Sequence, residues 1–521
     1  MPELRPWRAA TARVARVSNA VRPRLGRVTA AAKPRVARWV RTANPQVTRV
    51  RTWQYTAGAA TAGLALAAGV VTAAGPWDST GQRTAERERA AAQEATGGAD
   101  HGSGATAAAP RPAPSAVSVL TGLGGAAPVT KSVPGARPLA DVLNPLLSGP
   151  ALGERHAASV VDLATGRRLY GSGADDALIP ASTTKVATAV AALSALGPDH
   201  RLTTRAALEP DTGELVLVGG GDPTLTARKD PEGWASLRTL AARTAKELRA
   251  RGVRQVTLSY DTTLYAGPEL HPIGVNDNLA PVTSLMADEA RTDNSGSGPA
   301  PRTAEPAADA TRVFGDLLKS HGITTTEPGP SKASTRAQTL ATVSSPPLGT
   351  LVERMLTNSD NDIAEALVRH IALASGERPD FTGAGRAVHT RLKKLGLPTK
   401  GAVFTDGSGL SREDRLTTGL LTALLAKSAD PAHPELRPVL TGLPVAGFTG
   451  TLTSRYTDGA AGLVRAKTGT LTGVNALAGT VVDRDGHLLA FAFLTSGTVD
   501  PTATQKALDE TATALAACGC R

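Results

Sequence analysis

The segment IPASTTKVATAVAAL, Ile179 to Leu193, constrains this chain more than any other. A proline-marked loop gives way there to an apolar, alanine-rich helical pattern, with Ser182 and Lys185 three residues apart at the join. Positions i and i+3 share a helix face, so the Lys185 ammonium can reach the Ser182 hydroxyl. A serine hydroxyl is a weak nucleophile until a base stands beside it. The helix N-terminus beneath Ser182 adds N–H groups and the positive end of a dipole, which suit a developing oxyanion. An N-cap rich in serine and threonine, followed by a lysine on a solvated face, would explain the same residues. The pair is the only S-x-x-K in the chain, but alone it does not decide between the two.

A length of 521 residues suggests more than one domain and ample material for a core. The net charge of +11 looks like a nucleic-acid signal until it is located. Residues 1–52 hold thirteen Arg or Lys against one acid, Glu3, and the remainder is close to neutral. The basic character belongs to a tail, and no nucleic-acid surface is implied for the folded part. Cys518 and Cys520 sit in the last four residues, too close together to staple a fold. They would pair with each other only under strain, so a free or intermolecular role stays open. The nine histidines show no H-E-x-x-H or other metal-ligand spacing.

The basic tail is followed by Trp53, Tyr55 and about nineteen uncharged residues between Thr56 and Pro76, with Trp77 beyond. That length nearly spans a bilayer, and arginines on one side with aromatics at both ends fit the positive-inside rule. We expect 53–77 to be an uncleaved signal anchor, since a 52-residue leader is long for the alternative, a cleaved signal peptide. Either way the C-terminal bulk is exported. Residues 78–135, rich in Ala, Gly, Pro, Ser and Thr, have no face to bury and read as a linker.

A short helix at Pro138–Leu147 opens the folded part, and His156–Asp175 reads as a β-hairpin turning at Ala164–Gly166. With the Ser182 helix and later strands, this suggests an α/β (α+β) domain with an antiparallel sheet flanked by helices. The pattern changes between 206 and 345: a strand entering a glycine-rich turn at Glu214–Leu225, a helix at Leu237–Arg251, a strand at Val253–Asp261, a loop after Asn294 and a helix at Ala307–His321. We read 206–345 as an inserted, smaller α/β domain, and 136–205 with 346–521 as the main one. Gly219–Asp222 lacks the Lys-Ser/Thr of a phosphate-cradling loop and reads as a glycine turn.

The main domain resumes with Leu348–Leu356 and a long helical pattern over Met355–Leu373, at whose start stand Ser359, Asp360 and Asn361, with Glu365 and Arg369 on its flank. Alone, these three are an ordinary N-cap with polar first-turn residues. Val403–Thr417 reads as a strand, a glycine-rich turn and a helix start. Leu463–Asp483 reads as two strands, with Lys467-Thr468-Gly469-Thr470 near the end of the first. Asp485–Gly497 pairs with them, and a helix at Pro501–Ala517 closes the fold.

S-x-x-K, S-D-N and K-T-G thus occur in order, each in a fitting structural context, and together they are very specific. With them stand GGGDPTL (Gly219–Leu225), DGSGLSR (Asp406–Arg412) and LPVAGFTGTL (Leu443–Leu452). From Pro138 to Ala517 the chain resembles the class C low-molecular-mass penicillin-binding proteins, the D-alanyl-D-alanine carboxypeptidase/endopeptidase family. The 177 residues from Ser182 to Ser359 fit that family, which inserts domains there, although its insertion is often longer and one inserted subdomain is expected to be reduced here.

The resemblance implies a penicilloyl-serine transferase (β-lactamase-like) fold and a peptidoglycan stem peptide ending in D-Ala-D-Ala as substrate. Ser182 would attack the penultimate carbonyl with Lys185 as base. Ser359 would relay the proton to the leaving amine, and Asn361 would bind the substrate amide. Lys467 would supply positive charge, and the Thr468-Gly469-Thr470 segment would bind substrate, with both threonines on the terminal carboxylate. Backbone N–H groups of Ser182 and Thr470 would form the oxyanion hole. β-Lactams would acylate Ser182 as inhibitors, and no metal or organic cofactor is needed. A class A β-lactamase needs a glutamate-bearing E-x-x-L-N type loop, which nothing between Asn361 and Lys467 supplies. A Ser-His-Asp hydrolase wants a G-x-S-x-G elbow, which is absent from the sequence. A catalytically silent penicillin-binding or sensor protein that keeps the fold is the remaining alternative.

Overall fold

The computed structural model describes residues 138–456 and 459–519. The basic tail 1–52, the anchor expected at 53–77 and the linker 78–135 lie outside them. Among the described residues no helix is long and apolar enough to cross a membrane.

In chain order, α1 (Leu139–Leu147) leads into β1 (Arg155–Asp162), β2 (Arg168–Ser172) and α2 (Thr184–Leu196). Next come β3 (Thr203–Leu208), β4 (Leu215–Val218), α3 (Leu237–Ala250), β5 (Gln255–Val256) and β6 (Leu258–Asp261). These are followed by α4 (Pro306–Ser320), β7 (Thr324–Thr325), β8 (Gly329–Pro330) and β9 (Gln338–Ser344). Helices α5 (Leu348–Asn358), α6 (Asn361–Ala374), α7 (Phe381–Lys394), α8 (Thr418–Ala429) and α9 (Arg437–Thr441) come after. The chain closes with β10 (Val464–Leu471), β11 (Val474–Val482), β12 (Leu488–Ser496) and α10 (Pro501–Ala517).

The central sheet is antiparallel throughout, in the order β10-β11-β12-β1-β2. Side chains alternate across a strand, so β12 serves two cores at once. Leu489, Phe491 and Phe493 pack with α1 and α10 on one face. Ala490, Ala492 and Leu494 pack with α2, α5, α6, α7 and α8 on the other. Small alanines on that second face suit the alanine-rich α2, whose residues from Thr184 to Leu193 are all buried. Helix α10 starts at Asp500, whose carboxylate accepts from the Thr502 and Ala503 N–H groups. Asp500→Ala is expected to cost about 1 kcal/mol, read by urea denaturation.

The second five-stranded sheet, β8-β6-β4-β3-β9, is mixed: β4–β6 and β6–β8 are parallel, and the remaining pairs antiparallel. Its core packs against α3 and α4. The strand expected over Val253–Asp261 is split into β5 and β6, which join different sheets. At Gly220 a Cβ would lie 2.0 Å from the Thr203 carbonyl oxygen, so the glycine run serves close backbone approach. The strand expected at the start of Val403–Thr417 is not formed. Only single bridges tie Val403 to Arg415 and Leu178 to Leu416, because the intervening residues fold into a turn stitched by Asp406 and Asp414. Cys518 is disulfide-bonded.

Candidate active site

Ser182 lies in a single 3-10 turn, Ala181–Thr183, that runs directly into α2. The turn is entered through Ala181, a non-glycine residue at φ 47, which places local backbone strain beside the serine. The Asp406–Arg412 turn closes over it at Gly409, where φ is +79 and a Cβ would sit 1.9 Å from the Ala181 carbonyl oxygen. Only glycine fits there. The Lys185 ammonium, fully buried, donates to Ser182 Oγ at 3.1 Å, Asn361 Oδ1 at 2.6 Å and the Ser408 carbonyl at 2.7 Å.

Ser359, Asp360 and Asn361 form the corner between α5 and α6. Ser359 takes a left-handed conformation (φ 59, ψ 38) that stops α5, and Asp360 caps α6 by accepting from the Ile363 N–H. The cap reading of these residues therefore holds for Asp360, while its neighbours point into the cleft. Lys467, buried on β10, donates to Ser359 Oγ at 2.9 Å and to the Thr468 carbonyl at 2.7 Å. Asn361 also donates, at 2.8 Å, to the carbonyl of Asn278, a residue of the β6–α4 connection.

Ser182, Ser359, Asn361, Thr468 and Thr470 line one open cleft with about 870 Å³ of empty volume. Lys185 and Lys467 stand beneath it. Gly469 is placed differently from the other residues of its motif: a Cβ there would lie 2.8 Å from the Pro180 carbonyl oxygen. Its role is to let β10 approach the Ser182 turn. The opposite wall comes from Asn278 and from the Arg291–Arg302 loop, which the sequence offered only as a loop. Thr451 of the LPVAGFTGTL segment adds its hydroxyl, which accepts from Thr468 Oγ1 at 3.0 Å.

Burial pulls the Lys185 ammonium down from 10.5 to about 8, against the opposing pull of Asp406, Glu365, Asp360 and Asp362. Lys467 is pushed well below the ordinary lysine range by burial, then by Lys185 and Arg455. Two acidic groups brace this floor. Glu365, raised to about 7 by burial and by Asp406, accepts from the Gly407 and Ser408 N–H groups at 3.0 and 2.9 Å. Asp360 stands well above the carboxylate range because it is buried and faces Glu289. Among the described residues, His271, Glu365 and Asp406 bring ligand atoms within 4.8 Å of one another, as do Glu289, Asp360 and Asp362. In the first cluster His271 Nδ1 accepts from the Ile273 N–H, which leaves Nε2 to carry the proton toward Asp406 at 3.1 Å. In the second, arginines 291, 302 and 354 pair with the carboxylates. Hydrogen bonds and ion pairs thus already engage both clusters.

A model of the D-Ala-D-Ala carboxypeptidase 3 (S13) family matches residues 139–295 and 292–517. Carboxypeptidase DacB of Mycolicibacterium smegmatis is 39% identical over 436 residues, covering 81% of this chain and 92% of its own. The D-alanyl-D-alanine carboxypeptidase of an Actinomadura species is 32% identical over 469 residues, covering 72% and 85% respectively. Among solved structures, penicillin-binding protein 4 of Haemophilus influenzae superposes with a TM-score of 0.60 at 21% identity, covering 71% of this chain and 97% of that one. That likeness shows the penicilloyl-serine transferase fold expected from the three motifs.

Proposed function

The chain belongs to the D-Ala-D-Ala carboxypeptidase 3 (S13) family, and from that premise we propose how its cleft works. It is a serine-type D-Ala-D-Ala carboxypeptidase acting on peptidoglycan stem peptides. The observation that carries the assignment of roles is the set of three acceptors around Lys185. An ammonium satisfies all three. A neutral amine has two N–H donors and one lone pair, so it keeps Asn361 Oδ1 and the Ser408 carbonyl, the two closer acceptors, and turns its lone pair to Ser182. The base is then already aimed at the nucleophile.

Ser182 Oγ forms a bond to the carbonyl carbon of the penultimate D-Ala while its proton passes to Lys185. The tetrahedral oxyanion sits against the N–H groups of Ser182 and Thr470. The C–N bond breaks as Ser359, hydrogen-bonded to Lys467, relays to the departing D-Ala amine the proton that Lys185 took from Ser182. That leaves Ser359 protonated and Lys185 neutral again. Asn361 holds the substrate amide, and Thr468 and Thr470, beside Lys467, hold the terminal carboxylate. Water then cleaves the acyl-serine, and Ser182 recovers its proton. β-Lactams enter the same step and stay.

The test is release of D-Ala from an acyl-L-Lys-D-Ala-D-Ala peptide by the full chain, blocked by benzylpenicillin with a covalent adduct mapped to Ser182. Rapid penicillin hydrolysis without an adduct would point to a β-lactamase, and no reaction to a silent binding protein. Acylation by benzylpenicillin is expected to rise with pH through a limb near 8, where Lys185 loses its proton. A stopped-flow pH series checks this, and a rate flat from pH 6 to 9 would remove Lys185 as the base. Cleavage of a cross-linked stem-peptide dimer reads whether the cleft also admits the larger leaving group of an endopeptidase.

For the chain as a whole we propose that 136–205 and 346–521 form the catalytic domain and 206–345 an insertion. Residues 53–77 hold the protein in the cell membrane as a single pass, with 78–135 as spacer, the catalytic domain outside and 1–52 in the cytoplasm. A cleaved leader would instead release the enzyme. Size and N-terminal sequence of the membrane-extracted protein distinguish the two.

A further inference from the structure

Beneath Lys185 lies a chain of hydrogen bonds that the three motifs do not include. The Ser408 carbonyl that receives the Lys185 ammonium belongs to the same peptide turn whose Gly407 and Ser408 N–H groups both end on one oxygen of Glu365. Glu365 is fully buried, one turn along α6 from Asn361, and its second oxygen has no hydrogen-bond partner. The turn is pegged from a second side by Thr188 of α2, whose hydroxyl donates to the Gly407 carbonyl at 2.7 Å. It has little room to shift, since a Cβ on Gly407 would meet the Ala364 carbonyl oxygen at 2.6 Å.

We propose that Glu365 is a positioning residue for Lys185, acting through the Gly407–Ser408 turn. It rests on the reading of Lys185 as the base. Two N–H groups held by a carboxylate fix the plane of the turn and aim the Ser408 carbonyl at the Lys185 nitrogen. The negative charge also acts through space on that nitrogen. Charged and titratable groups face Glu365 from every side: Asp406 from the turn, His271 from the β6–α4 connection, Arg369 from its own helix and Lys185 from α2. Burial and Asp406 lift Glu365 to about 7, so its charge is present above neutral pH, where the Lys185 proton is also being lost. A buried glutamate whose only work is to fill space would not end on the backbone of the peptide that holds the base.

The test compares benzylpenicillin acylation of the full chain across pH for the wild type, Glu365→Gln and Thr188→Val. The glutamine keeps an oxygen for both N–H groups but carries no charge, and an anion nearby raises a lysine's pKa. Glu365→Gln is therefore expected to move the limb near pH 8 to lower pH by about half a unit or more, with a plateau about two- to threefold lower from a weaker base. Thr188→Val removes one peg and no charge, so it should lower the rate at every pH and leave the limb where it is. A Glu365→Gln profile coinciding with the wild type, in rate and limb, overturns the inference while the wild-type adduct upholds the function. Should Glu365→Gln fail to fold, Thr188→Val decides: an unchanged rate overturns the inference, and a uniform loss supports it. A wild-type chain that takes no adduct on Ser182 overturns both readings.

Discussion

Lys185→Met is expected to slow acylation of Ser182 by about a thousandfold or more while leaving the protein folded. Methionine fills much the same space at a position with no exposed surface. What is lost is the base and three hydrogen bonds, to Ser182, Asn361 and the Ser408 carbonyl. Leaving two buried acceptors without a donor costs about 1–3 kcal/mol each. Against this stands the removal of an ammonium that burial already disfavours, as its fall from 10.5 to about 8 records. The two contributions are of similar size and opposite sign, so the folded state survives and the rate takes the loss. The sign of the pH effect follows. A lysine depressed on folding contributes no penalty above its unfolded value, and stability is lost as pH falls from 10.5 toward 8. In Lys185→Met that slope is absent, so urea midpoints at pH 8 and pH 10 should differ less than in the wild type. Acylation within tenfold of the wild type would place the base elsewhere.

Much of this site is legible in the sequence alone, and the reason is local. Ser182 and Lys185 are one turn apart, and Ser359 with Asn361 are bound to a helix corner, so the backbone alone fixes their relations. The order of the three motifs then placed these residues in one site, but the pairing of Lys185 with Asn361 and of Lys467 with Ser359, across 176 and 108 residues, comes from the fold. The central sheet was legible for the same reason: β11 and β12 read as long apolar runs bounded by turns. What escaped were contacts with no local pattern. Asn278 meets Asn361 only because the β6–α4 connection folds back over the cleft. Glu365 was visible on the flank of its helix, but its partners are backbone N–H groups, which leave no trace in side-chain chemistry. Val403–Thr417 misled because its valine and phenylalanine imitate a strand, whereas Asp406 and Asp414 bind its backbone into a turn.

Glu289→Ala should destabilise the protein by about 3–5 kcal/mol and slow acylation of whatever stays folded. Glu289 is 3% exposed and receives Arg291 Nε at 2.8 Å on one oxygen and Arg354 Nη2 at 2.6 Å on the other. Asp360, held well above the carboxylate range by burial and by Glu289, shares a hydrogen bond with it and caps α6 directly behind Asn361. The backbone there is strained: Asp288, Glu289 and Ala290 have φ of 52, 54 and 56 in succession. Left-handed residues cost roughly 1–2 kcal/mol each, so this turn persists only because the side chain is held on several sides. Replacing a whole buried ion cluster by apolar groups can be neutral, but removing one member strands the others, and here two guanidinium groups and the Asp360 carboxyl group lose their partner. The substituted alanine keeps the backbone strain and loses its compensation. Glu289→Gln retains shape and one acceptor, so it should cost about half as much. Urea denaturation gives the stability, and the acylation rate normalised to folded protein reads the Ser359–Asn361 corner. A loss of less than about 1 kcal/mol in Glu289→Ala would mean that Arg291 and Arg354 find other acceptors, and that the corner is held by Asp362 and Arg302 instead.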